Sequence, residues 1–76
     1  MTVIPSLSYV KIVSALERAG FIQSRQVGSH IRLVRRTTGG ERLCLTVPAY
    51  KPVPPQILAK ILKAAKISLE EFLDYL

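Results

Sequence analysis

The 76-residue chain contains one histidine, His30, directly after a Gly28-Ser29 pair and two residues before Arg32. Imidazole, with an ordinary pKa near 6.5, can both take and give a proton around neutral pH. If this stretch is extended, Arg32 shares a face with His30 at about 6.6 Å along the strand, and its planar guanidinium suits phosphate geometry. A proton-transfer group beside an anion holder is thus the chemistry this spacing offers. Gly28 lets the backbone adopt a conformation costly for other residues and leaves room for an anion to approach. Ser29 adds a hydroxyl that can donate to that anion or to the imidazole. Arg25, Arg36, Arg42 and Lys51 surround this stretch with positive charge, and Tyr50 and Lys51 could serve as a second proton donor. Both have ordinary pKa values near 10, so that role needs a depressed pKa.

The positive charge is concentrated. Eleven Lys+Arg against five Asp+Glu leave a net charge of +6. Arg18, Arg25, Arg32, Arg35, Arg36 and Arg42 lie in the middle of the chain with Glu41 as the one acid among the last four, while Glu70, Glu71 and Asp74 close it. A polyanionic partner is expected from this, although charge alone leaves RNA, DNA, a membrane surface, an acidic protein or a merely solvated face open. Other classes are excluded. A single cysteine, Cys44, and a single histidine can build neither a disulfide framework nor a structural zinc site. The longest uncharged stretch, Met1–Val10, is interrupted by Pro5 and falls short of the roughly 20 apolar residues that cross a bilayer. It also lacks the basic start and cleavage pattern of a signal peptide. The expectation is a cytoplasmic protein of one domain, residues 1–76, with no membrane association, no metal and no cofactor.

The elements that must hold His30 and Arg32 follow from periodicity. Ser6 or Ser8 can cap a first helix whose apolar positions Tyr9, Ile12, Val13 and Leu16 recur at three and four residues, ending at Ala19-Gly20-Phe21. Phe21–Val27 is mixed, as on an edge strand. His30–Arg36 alternates, with Ile31 and Leu33 on one face and His30, Arg32 and Val34 on the other. Thr37-Thr38-Gly39-Gly40 predicts a hairpin turn into Glu41–Val47, where Leu43, Leu45 and Val47 oppose Arg42, Cys44 and Thr46. After Pro48 and an extended Pro52–Pro55 loop, Pro55 opens a second helix with an apolar stripe of Ile57, Leu58, Ile61, Leu62 and Ala65. Ser68-Leu69-Glu70-Glu71 fits a capping box that opens a last short helix. The fold class is α+β: α-β-β-β-α with a three-stranded antiparallel sheet, helices packed on one face, and a short C-terminal helix. The other sheet face, with His30, Arg32, Arg42 and Arg36, is left open to solvent.

These residues resemble a known family. Leu16-Glu17-Arg18-Ala19-Gly20-Phe21, Arg25-Gln26-Val27-Gly28-Ser29-His30, Thr46-Val47-Pro48 and Ile67-Ser68-Leu69-Glu70-Glu71-Phe72, in that order and spacing, are similar to the HicA (YcfA-like) toxins over about Ser8–Leu76. The resemblance implies a fold like the double-stranded RNA-binding domain (dsRBD-like). It implies a metal-independent ribonuclease that cuts single-stranded mRNA and stops translation, a HicB-type antitoxin as partner, and His30 as the catalytic histidine. Two departures are plain. Where many relatives carry a second histidine after the Val-Pro, this chain has Tyr50, and where they have Gly-Thr before the second helix it has Pro55-Gln56. A mechanism with two imidazoles therefore lacks its second group here.

RNA fits such a site because its 2′-hydroxyl is a built-in nucleophile that needs only deprotonation and a stabilised phosphorane. His30 is then the general base or acid, Arg32 the fixed charge at the phosphorane, and Arg25, Arg36, Arg42 and Lys51 further RNA contacts. Gly28, Ser29 and Tyr50 support the site. The competing readings are a non-catalytic RNA-binding module of the same fold, an inactivated HicA homologue, and an adaptor whose arginines meet an acidic protein.

Overall fold

A computed structural model describes residues 4–76. The elements run α1 (Tyr9–Arg18), β1 (Ile22–Val27), β2 (His30–Arg36), β3 (Arg42–Pro48), α2 (Pro55–Ala65) and α3 (Leu69–Asp74). The sheet is antiparallel in the order β1-β2-β3. This is the element order expected from the periodicity, with strand ends within a residue or two.

The alternation in the strands decides which face is buried. Ile31, Leu33, Leu43, Leu45 and Val47 point under the helices and are buried together with Ile12, Leu16, Leu58, Ile61 and Phe72. Burying side chains of this size contributes roughly 1.5–3 kcal/mol each, which is what holds a chain of this length together. Helices α1 and α2 both pack on β3. Strand β1 overhangs this layer and is exposed along its whole length.

Both longer helices end in the same hydrogen-bond pattern. At the end of α1, Phe21 N–H donates to Leu16 C=O and Gly20 N–H to Glu17 C=O, with Gly20 at φ +105°. At the end of α2, Ile67 N–H donates to Leu62 C=O and Lys66 N–H to Lys63 C=O, with Lys66 in the left-handed region at φ 56°. This is the Schellman arrangement, which favours glycine at the left-handed position. The sequence announces it at Gly20 and conceals it at Lys66.

The two expected serine caps differ. Ser68 Oγ accepts from Glu71 N–H at 3.1 Å, but the Glu71 carboxylate accepts from the Tyr75 hydroxyl at 3.5 Å, so only one half of the capping box is seen. Ser8 stands at the N-cap of α1 without a side-chain cap bond, and Ser6 lies outside the helix.

Candidate functional site

His30 owes its position to the turn before it. Val27 pairs with His30, leaving Gly28-Ser29 as a two-residue hairpin loop. Gly28 has φ +58° and Ser29 no positive φ, the pattern of a type II′ turn with glycine at its first central position. The Gln26 side-chain amide donates to the Gly28 carbonyl at 3.2 Å, and Ala49 N–H donates to the Ser29 carbonyl at 2.7 Å. The turn is thus tied to the chain just after β3. Nothing lies within 4 Å of where a Gly28 side chain would begin, so the space beside His30 is open.

From there the alternation carries the charges outward. His30, Arg32 and Arg36 on β2 are all exposed, on the face opposite the buried Ile31 and Leu33. Arg32 stands across from Arg25 on one side and Thr46 on the other. Arg25, Val27, His30, Arg32 and Thr46 line a shallow cleft of about 170 Å³. The open sheet face therefore brings together His30, Arg25 and Arg32, with Gly28 and Ser29 in the adjoining turn. It does not bring in every residue singled out by sequence. Tyr50 is exposed beyond the end of β3 and is not among the residues lining this cleft. Lys51 Nζ lies over the Tyr9 ring, 5.8 Å from its centroid. Arg36 and Arg42 stand directly opposite each other at the far end of the face.

Sequence reasoning missed two parts of this surface. Thr46 was readable, since it shares the outward parity of Arg42 and Cys44. The second part is a β-bulge in β1: Gln23 pairs with Leu33 and Arg25 with Arg32, which leaves Ser24 as the extra residue. A one-residue shift turns the remainder of a strand over. Ile22 consequently faces outward beside Val34, 71% exposed, and no residue type in Phe21–Val27 signals it.

The electrostatics are one-sided. The one ion pair among the described residues is Lys66 Nζ to Glu41, at 2.8 Å. It engages the one carboxylate adjacent in sequence to Arg42, and it lies away from the His30 cleft, whose lining contains no acid. Among the described residues no three His, Cys, Asp or Glu side chains are grouped as metal ligands.

The family model described as the HicA toxin of bacterial toxin–antitoxin systems matches residues 10–67 of the 76. The chain belongs to the HicA toxin family. A toxin of such a system is paired with an antitoxin. The match runs from α1 to the residue after the α2 cap, so it includes His30 and the whole sheet of this HicA family member. No curated protein and no solved structure gives a significant match. No described helix is long and apolar enough to cross a membrane.

Proposed function

We propose that this HicA family member is a metal-independent endoribonuclease that cuts single-stranded mRNA, with His30 as its catalytic base. The observation that supports this reading best is the exposed His30 in a cleft with Arg25 and Arg32 across from each other and no carboxylate beside them. That set offers one proton acceptor and two fixed positive charges, as attack of a neighbouring hydroxyl on a phosphodiester requires.

His30 takes the proton of the 2′-hydroxyl, and the 2′-oxygen bonds to the adjacent phosphorus. Arg25 and Arg32 hold the non-bridging oxygens, whose negative charge grows in the phosphorane. The bond from phosphorus to the 5′-oxygen then breaks, the departing oxygen takes a proton from water, and the hydroxide left behind takes the proton held by His30, which restores the free base. One fragment keeps a 2′,3′-cyclic phosphate and the other a 5′-hydroxyl, so no metal or cofactor enters the balance. Ser29 donates its hydroxyl to the phosphate, and Gly28 keeps the approach clear. Arg36, Arg42 and Lys51 hold RNA away from the cut. Tyr50, outside the cleft, carries no step. A HicB-type antitoxin is the proposed partner.

A single positioned base contributes about 10²–10⁴-fold, so the enzyme is expected to be slow. The test is incubation of labelled single-stranded RNA, and DNA of the same sequence, with wild type and His30→Ala in EDTA. Wild type is expected to cut RNA and spare DNA, and His30→Ala to lose at least about 100-fold of the rate. Binding without any product from wild type would leave the non-catalytic RNA-binding module. Equal cutting by the variant would remove His30 from the chemistry.

A further inference from the structure

Two features of the open sheet face are at odds with stability alone. Arg25 stands across from Arg32, and Arg36 across from Arg42. Like charges directly opposite on neighbouring strands repel, and among the described residues none of the four arginines has a carboxylate partner, since the one ion pair is Lys66–Glu41. Arg32 and Arg36 are four residues apart on β2, roughly 13 Å along the strand. Between the two arginine pairs lies an apolar row, Ile22–Val34–Cys44, aligned across all three strands because the Ser24 bulge turns Ile22 outward.

The far pair borders a groove of about 700 Å³ that also contains Ile22, Val34 and Arg35. Arg35 comes from the helix side of the sheet but reaches this groove over Gly20. A Cβ at Gly20 would meet Arg35 Nε at 3.3 Å, and Gly20 itself is at φ +105°. The groove lining thus joins the apolar side chains of Ile22 and Val34 to three arginines and contains no acid.

We propose that Arg36 and Arg42 form a second phosphate seat, and that the row Ile22–Val34–Cys44 carries the sugars and bases between it and the seat at Arg25 and Arg32. This deepens the ribonuclease reading, since it requires RNA as the ligand, but it does not require that the chain cleave it. Each arginine pair holds one phosphate. The interval between the pairs spans more than one nucleotide, so the protein grips a segment and not a single linkage. A flat apolar row is accessible to unstacked bases, whereas a duplex keeps its bases inside. The row therefore favours single strands, and the guanidinium forks supply the phosphate contacts.

The test measures binding, so that it stands apart from catalysis. Fluorescence anisotropy would follow 2′-O-methyl oligouridines, which cannot be cut, in a two-nucleotide and an eight-nucleotide form across a salt series. The proteins are wild type, Arg36→Gln with Arg42→Gln, and Ile22→Ser; all three positions are exposed, so the fold should persist, and circular dichroism checks it. Wild type is expected to bind the longer probe at least tenfold tighter. The double variant should lose most of that gain, and its slope of log affinity against log salt should fall by about 0.7, the value for one phosphate released from a single strand. Ile22→Ser should weaken the longer probe several-fold without changing the slope. Equal affinity of wild type for the two probes, or an unchanged slope in the double variant, would overturn the second seat. A polyglutamate peptide that competes as well as the eight-nucleotide probe would overturn it too, in favour of an acidic protein surface. Loss of cleavage in a separate assay with these data intact would instead remove the catalytic reading and leave the seat standing.

Discussion

At the residue scale the weight rests on His30 and Arg32, neighbours on one face of β2. The proposed mechanism gives Arg32 two distinguishable roles, holding ground-state RNA and stabilising the phosphorane. The second requires interactions that strengthen as charge moves onto the phosphate oxygens, so its loss lowers the turnover rate and not only the affinity. Arg32→Ala is expected to lower kcat by about 10²–10³-fold, the usual effect of removing one preorganised donor. Arg32→Lys should recover only part of this, because a point charge does not reproduce the fork. Single-turnover kinetics on labelled RNA checks both. Tyr50 makes the complementary point: its phenol lies outside the cleft, and Tyr50→Phe should leave the rate within about twofold in the same assay, far short of the 10²–10⁴-fold that a proton-transfer group supplies.

At the scale of elements, most of the architecture was legible because it depends on local alternation and on strong turn residues. Ile31 and Leu33, then Leu43, Leu45 and Val47, mark the inner sheet face, and the same parity sets His30, Arg32 and Arg42 outward. Gly20 marks the end of α1, and Pro55 the start of α2. What was not legible has a common cause, since it depends on how segments meet. The Ser24 bulge is set by the pairing of β1 with β2 and has no residue signature. The place of Tyr50 and Lys51 depends on the path of the chain after Pro48, where no periodicity operates. Lys66 adopts a left-handed conformation because Ile67 must return over the end of α2, where it is buried. Left-handed backbone costs a non-glycine residue about 1–2 kcal/mol, whereas the exposed Lys66–Glu41 pair contributes at most about 1 kcal/mol. Lys66→Gly is therefore expected to stabilise the protein by up to about 1 kcal/mol, measured by urea unfolding, despite the lost ion pair.

At the scale of the whole molecule the protein is a thin slab, 32 × 32 × 17 Å, with helices on one side and the open sheet on the other. Among the described residues the open face carries unpaired arginines, whereas the helices carry both signs, with Lys11, Arg18, Lys60 and Lys63 beside Glu17, Glu70, Glu71 and Asp74. The acidic residues of α3 belong to the C-terminal end, while Arg25, Arg32, Arg36 and Arg42 share the open face. A single helical layer leaves little redundancy in the core, and Phe72, fully buried, is the anchor by which α3 joins it. Phe72→Ala is expected to cost about 3–5 kcal/mol, a large share of the roughly 5–15 kcal/mol typical of a whole domain. Thermal unfolding followed by circular dichroism would register it.

The reading as a ribonuclease depends on the 2′-hydroxyl being the nucleophile that His30 activates. Mass spectrometry of the fragments from a defined single-stranded RNA, cut in EDTA, tests this most directly. The account predicts 2′,3′-cyclic phosphate on one fragment and a 5′-hydroxyl on the other, with no cut when the nucleotide on the 5′ side of the linkage is made 2′-deoxy. Fragments that end in 5′-phosphate and 3′-hydroxyl, or cleavage that survives the 2′-deoxy substitution, would contradict it.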